Sequence, residues 1–349
     1  MVEVKYIPVF RYRAQERKVL LSTPITNKII PLIEVISNKL RSNSKKDCID
    51  QLSEDIDTIN TKIMLDFPMY IKLQNNTQPG VLSFLTPIMV NPDIRIDLFT
   101  DQRLIAKKDK IIPVVSYNPN DQYISNSLIK QSNILRSEYN QQTFRIYNEH
   151  FKLVLNELGT VIKSQDYVIL DLKETSHTHS ANQNMYGDLI NLSIKTGCKI
   201  ILIRSAIPSS LTNVALDNGK IVYAADNSLL KEYKNLGFSA FGDYCGVKKD
   251  NLTKGGRISP GYIMYSWLNN SYYGFKGDVD DASSFEGVLI PEILKSNVWQ
   301  EYLNTHNING CLGCSTIEKI SLKQKKGNSQ PEWKGFACGH YLYTMEEFL

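Results

Sequence analysis

The chain reads as an α/β protein built on a (β/α)8 TIM-like barrel with a C-terminal elaboration. Three observations predict this. Eight short apolar runs begin near positions 6, 29, 63, 111, 143, 167, 198 and 238. Segments with helical spacing separate most of them. Several runs carry their charges at the carboxyl end, where parallel α/β folds place their chemistry. Strands alternating with helices imply a parallel sheet. Eight such units in roughly 250 residues fit a closed barrel. An open doubly wound sheet is the rival arrangement.

Tyr6-Ile-Pro-Val-Phe10 is apolar and is followed by Arg11, Tyr12 and Arg13, then a helical segment from Glu16 to Leu21. Ile29 to Ile36 is a second strand with one charge, Glu34, and Ile111 to Tyr117 has the same design. Ile-Pro-Val/Leu recurs at 7, 30 and 112. Proline lacks a ladder donor and favours strand entries, so these tripeptides read as strand starts. Asp47 to Lys62 has helical spacing and leads into a short strand ending at Asp66. Thr143 to Tyr147 is another strand, before a helix through Phe151, Val154, Leu155, Leu158 and Ile162, in which Leu153, Leu155 and Leu158 read as core. Tyr167 to Leu170 is a short unbroken apolar run, the signature of a strand buried on both faces. A helix from Met185 to Thr196 stops at Gly197. Cys198 to Arg204 and Phe238 to Cys245 complete the strands, separated by a helix from Ser228 to Asn235. Residues 1–250 are thus assigned to the barrel and 251–349 to an elaboration with little core of its own.

The 349 residues can bury a large core, and 42% hydrophobic with 22% charged content is that of an ordinary globular protein. A formal net charge of +4 is too weak to argue for nucleic-acid binding by itself. No apolar run approaches the roughly 18 residues of a membrane span. The N-terminus passes straight into a strand-like segment without a signal peptide, which implies a cytoplasmic location. Six cysteines there are expected to be reduced. Neither G-x-G-x-x-G nor G-x-x-x-x-G-K-[ST] occurs at a strand–helix turn, so nucleotide binding in those modes is unsupported.

If the barrel closes, polar residues at the strand ends surround one mouth. The candidate ligand-binding set is Arg11, Arg13, Glu34, Asp171, Lys173, Arg204, Asp243 and Tyr244, with Asp66, Ser116 and Asn118 nearby. Guanidiniums beside carboxylates can bind an anion, hold a metal or run acid–base chemistry. The competing reading makes Glu34, Asp171 and Arg204 structural ion pairs. Strand alternation places Asp171 and Lys173 on one face and Glu174 on the other. His177 and His179 fall in a Ser/Thr-rich loop, where solvent-exposed histidines are the common case. Catalytic residues are not assignable.

Near the C-terminus, Cys311-Leu-Gly-Cys314 is followed by Cys338-Gly-His340. A C-x2-C pair beside glycine can present two thiolates to a metal. Cys311, Cys314, Cys338 and His340 together form a candidate structural zinc set, the alternative being three buried or free thiols.

Tyr6-x-Pro-Val-x-Arg-x-Arg-x-x-Glu16 followed by Ile30-Pro-Leu-Ile-Glu34 resembles the satellite-phage beta protein family. Gly237-Phe-Ser-x-Phe-Gly-Asp-Tyr244 is similar to that family's late strand. Cys311-x-x-Cys314 with Gly327, Asn328, Trp333, Gly335 and His340 is similar to its C-terminal end. The family pattern ends in paired histidines, whereas Tyr341 stands in the second place here and Cys338 precedes His340 by two positions. The resemblance implies a component of an anti-phage locus of the gop-beta-cll type, in which the beta protein is encoded beside a toxic protein. It thereby implies a toxin–antitoxin-like role, binding and controlling a toxic effector encoded nearby. Two other readings stay open. One is a barrel hydrolase or phosphodiesterase acting on a nucleotide or nucleic acid through the charged ring. The other is a nucleic-acid module using Lys319, Lys323, Lys325, Lys326 and Trp333.

Overall fold

Strands Ile63–Asp66, Thr143–Ile146 and Tyr167–Asp171 are buried at every position. Burial on both faces requires cover from the opposite barrel wall inside and from helices outside. The computed structural model describes residues 3–41, 43–120, 127–249, 252–253, 255–305 and 310–349; Met1 and Val2, part of the segment read above as lacking a signal peptide, lie outside them. Eleven strands are found among the described residues, in chain order β1 (Tyr6–Arg11), β2 (Leu32–Glu34), β3 (Ile63–Asp66), β4 (Ile111–Val115), β5 (Thr143–Ile146), β6 (Tyr167–Asp171), β7 (Lys199–Ile203), β8 (Lys220–Ile221), β9 (Ala240–Asp243), β10 (Gly261–Ser266) and β11 (Ser271–Lys276).

β1 to β7 and β9 form a closed barrel of parallel neighbours, and β9 pairs back to β1 through Tyr6↔Phe241 and Pro8↔Asp243. That closure excludes the open doubly wound sheet. All eight strands lie where the apolar runs place them. Gly242 permits tight closure, because a Cβ there would fall 2.5 Å from the Ile7 carbonyl oxygen.

Local chemistry sets the helix ends. Asp47 caps the helix Cys48–Thr58 by accepting the Asp50 amide at 2.8 Å. Gly197, with φ +78°, ends the helix Asn182–Thr196. The helix Phe151–Val161 buries Phe151, Val154 and Leu158, as its spacing predicts, while Leu153 is 44% exposed and is corrected from core to surface. Helices Pro79–Val90 and Pro92–Phe99 were not foreseen; each carries proline in its first turn, where the missing N–H has no intrahelical partner to lose.

The chain divides into two compact units. The first contains residues 1–12, 26–204 and 229–243 and holds the barrel; the second contains 13–25, 205–228 and 244–349. Two earlier segments therefore group with the C-terminal residues, a different partition from a simple division at 250. In the second unit β10 and β11 form an antiparallel hairpin, and β11 also pairs with β8. Tyr262, Met264, Phe275, Phe285, Trp299, Tyr302, Ile317 and Trp333 build a buried cluster there. The segment expected to have little core is thus rich in aromatic packing. No described helix is long and apolar enough to cross a membrane.

Candidate functional site

Register in the barrel aligns Arg11 with Glu34 and Glu34 with Asp66, so three charged residues from β1, β2 and β3 share one face at the carboxyl ends. Arg145 sits lower, opposite Ile169 on β6, two positions below Asp171. An arginine is long enough to reach up to the carboxylate layer. Its Nη1 lies 2.7 Å from Glu34 Oε1 and 3.0 Å from Asp66 Oδ2, and its Nη2 lies 2.6 Å from Asp171 Oδ2. Its guanidinium also stacks over Tyr70, 4.6 Å from the ring centroid. Arg145 and all three of its carboxylate partners have side chains that are 0–1% exposed. Burial opposes the charge of Arg145, but Tyr147, Asp171 and Glu34 around it hold its pKa well above the ordinary arginine value.

Both oxygens of Asp66 and of Asp171 are hydrogen-bonded, whereas the buried Glu34 Oε2 has no hydrogen-bond partner among the described residues. Asp171 Oδ1 accepts the Lys173 amide at 2.8 Å. Asp66 Oδ1 accepts from Arg95 Nη2 at 2.8 Å. Arg95 comes from the helix Pro92–Phe99 and also binds the Phe67 carbonyl, the Val114 carbonyl and Gln131 Oε1. Glu34 Oε1 accepts the Tyr70 hydroxyl at 2.7 Å, and Arg11 Nε stands 3.6 Å from its Oε2. Burial, followed by the charge of Glu34, pushes the Tyr70 phenol upward. Three carboxylates therefore face three guanidiniums in one buried network.

Of the candidate mouth residues, the structure brings together Arg11, Glu34 and Asp171. Lys173 is corrected. Its φ of +55° ends the strand alternation, and its ammonium pairs instead with Glu149 at 2.7 Å on the surface. Arg204 turns to His177, with Nη1 3.2 Å from Nδ1. Asp243 accepts the Tyr6 hydroxyl at 2.6 Å. Arg13 pairs with Glu16, and Tyr244 lies under the Lys249 ammonium, 5.0 Å from its ring centroid; both belong to the second unit. His177 also departs from the exposed-loop expectation. It is fully buried, and its Nε2 lies 2.7 Å from Glu232 Oε2. Sequence reading missed Arg145, Arg95 and Tyr70. The available signal was a lone arginine between Phe144 and Ile146, in a strand otherwise fit only for a dry interior.

In the second unit, Cys311, Cys314 and His340 place their donor atoms within 4.8 Å of one another, all buried. Cys311 caps the helix Leu312–Ser321, its Sγ accepting the Cys314 amide at 3.4 Å. His340 Nδ1 is 3.3 Å from Cys314 Sγ and 3.6 Å from Cys311 Sγ, and its Nε2 meets the Tyr265 carbonyl at 3.0 Å. The carbonyl only accepts, so Nε2 carries the proton and Nδ1 offers a lone pair to the thiols. Cys338 is a correction: it does not join this group. It shares the helix Gln330–Phe348 with His340, and residues two apart on a helix face different ways. Its carbonyl accepts from the Cys245 thiol at 3.6 Å.

Comparison with curated proteins returned no match. A family model described as Beta protein matches residues 6–346, which spans both the barrel network and the cysteine–histidine corner. With nearly its whole length matched, the chain belongs to the Beta protein family.

Proposed function

We propose that this chain is the control component of an anti-phage locus, binding and restraining a toxic effector protein encoded beside it. In this reading the barrel is a scaffold and not a reaction vessel. The observation that carries it is the mouth network: Glu34, Asp66 and Asp171 are buried and already bound by guanidiniums. A reacting carboxylate must reach substrate within hydrogen-bond distance. Membership of the Beta protein family supports the setting. Co-expression of the chain with the product of the adjacent gene tests it. The reading expects one co-eluting complex and relief of toxicity; separate elution with unchanged toxicity overturns it.

One observation favours the hydrolase or phosphodiesterase alternative. His177 is oriented by Arg204 and bonded to Glu232, whose side chain is 43% exposed. A histidine–carboxylate pair reaching solvent is competent for proton transfer. If His177→Gln abolishes protection with the melting temperature retained, this alternative gains over the scaffold.

The cysteine–histidine corner is proposed to hold zinc. Two thiols, an imidazole with its lone pair turned inward, and a carbonyl fixing the other ring nitrogen suit a zinc donor set and its supporting hydrogen bond. The ion would tie the helices Leu312–Ser321 and Gln330–Phe348 together. Zinc supplies cross-linking there, and no step of the proposed function runs through it.

A further inference from the structure

The second unit contains a cavity of about 260 Å³ that the readings above leave unused. One wall is a single face of the helix Gln330–Phe348. Gln330, Trp333, Lys334 and Ala337 recur there at the i, i+3, i+4, i+7 spacing of a helical stripe. The start of β10, through Ile263, and the segment carrying Val247 and Lys248 supply the other walls. The lining is mostly apolar, and among the described residues it includes two lysines and no acidic side chain.

The rim is built in advance. The Gln330 side-chain amide bonds the Gly261 backbone twice, accepting its N–H at 3.1 Å and donating to its carbonyl at 2.9 Å. Asn213 Nδ2 donates to the Ser259 carbonyl at 2.6 Å and to Gln330 Oε1 at 3.0 Å. The Lys248 ammonium donates to the Leu211 carbonyl at 2.7 Å, which holds its charge at the cavity edge. A preformed apolar hollow with a few placed polar groups is the usual form of a small-molecule site.

We infer that this cavity binds a small amphipathic anion, an apolar body with one carboxylate or phosphate head, its body against Val247, Ile263 and Ala337 and its head between Lys248 and Lys334. Charge complementarity selects the anion, and the volume limits it to a small molecule. The inference is independent of partner control and of zinc.

The test titrates the full chain with anilinonaphthalene sulfonate, a fluorescent amphipathic anion, with octanoate, octyl phosphate and octanol as competitors. Saturable binding of one probe per chain is expected, with octanoate or octyl phosphate competing about tenfold better than octanol. Whichever anion competes better identifies the head group. Lys248→Gln and Lys334→Gln should each weaken the probe about tenfold at an unchanged melting temperature. Ala337→Phe should abolish binding by filling the space. Non-saturable binding, octanol competing as well as the anions, or unchanged affinity in both lysine variants overturns the inference. The competition series uses the unaltered chain, so it decides the matter even if a variant fails to fold.

Discussion

The barrel mouth and the cysteine–histidine corner are both buried polar clusters, yet they differ in how their groups are satisfied. At the mouth, opposite charges satisfy one another: Arg145 alone binds Glu34, Asp66 and Asp171. At the corner, two thiols and an imidazole bring their donor atoms within 4.8 Å of one another. The first arrangement pairs its charges internally, with only Glu34 Oε2 left without a hydrogen bond among these three carboxylates, and the second has the chemistry of a ligand set. A polar cluster at a familiar location is therefore not by itself a site; the balance of donors, acceptors and charge decides.

The sharpest way to break this contrast is to remove the hub. Arg145→Met leaves three buried carboxylates without their shared guanidinium and should destabilise the protein by about 3–5 kcal/mol, read by equilibrium urea unfolding. Arg145→Lys should recover only part, since an ammonium cannot bridge three carboxylates in a planar fork. A wild-type unfolding midpoint for Arg145→Met would mean the network is not structural.

The corner is sharpened by metal analysis. One zinc per chain is expected by mass spectrometry of the purified protein. Cys311→Ser, Cys314→Ser and His340→Ala should each lose most of it, with a melting temperature that becomes dependent on added zinc. Cys338→Ser should keep it. Equal zinc loss in Cys338→Ser would restore the four-residue set read from the spacing.

The smallest effect belongs to Lys173, which the structure moves from the mouth to the surface. Burial raises the Glu149 pKa, and the bond with Lys173 outweighs this and leaves it below the usual carboxylate range. A depressed carboxylate adds stability above its unfolded pKa and loses it as pH falls through the folded value. Lys173→Met should return Glu149 toward its ordinary pKa in an NMR titration and shrink that acid-side loss. Such an exposed pair is worth about 0.2–1 kcal/mol at neutral pH. A loss several times larger would place Lys173 back among the buried charges.

Much of the fold was legible because period and composition carry it. Each of the eight apolar runs became a barrel strand, and Gly197 stopped its helix as glycine does at a left-handed position. The site was legible only in part. Charges at strand ends were counted, so Arg145 in mid-strand escaped, although a guanidinium flanked by Phe144 and Ile146 has nowhere to lie but the interior. Arg95 arrives from a helix 29 positions after Asp66, and no local pattern joins the two. Lys173 was misplaced because alternation was carried past the point where the backbone turns. Cys338 and His340 looked like a knuckle in C-x-H spacing, but a helix separates their directions. The second unit's aromatic core was hidden because its rings come from β10, β11 and separate helices between Tyr262 and Trp333, with no single periodic stripe to mark them.

The most direct test of the scaffold reading is equilibrium urea unfolding of Asp171→Ala beside the unaltered chain, paired with its ability to protect cells from the toxic neighbour. Asp171 accepts two bonds from Arg145 and one from the Lys173 amide, and removing it leaves a buried guanidinium underpaired. The account predicts a stability loss of about 3–5 kcal/mol, with protection falling only as far as the folded fraction falls. An unchanged unfolding midpoint with protection abolished would contradict it, and would make Asp171 a reacting group.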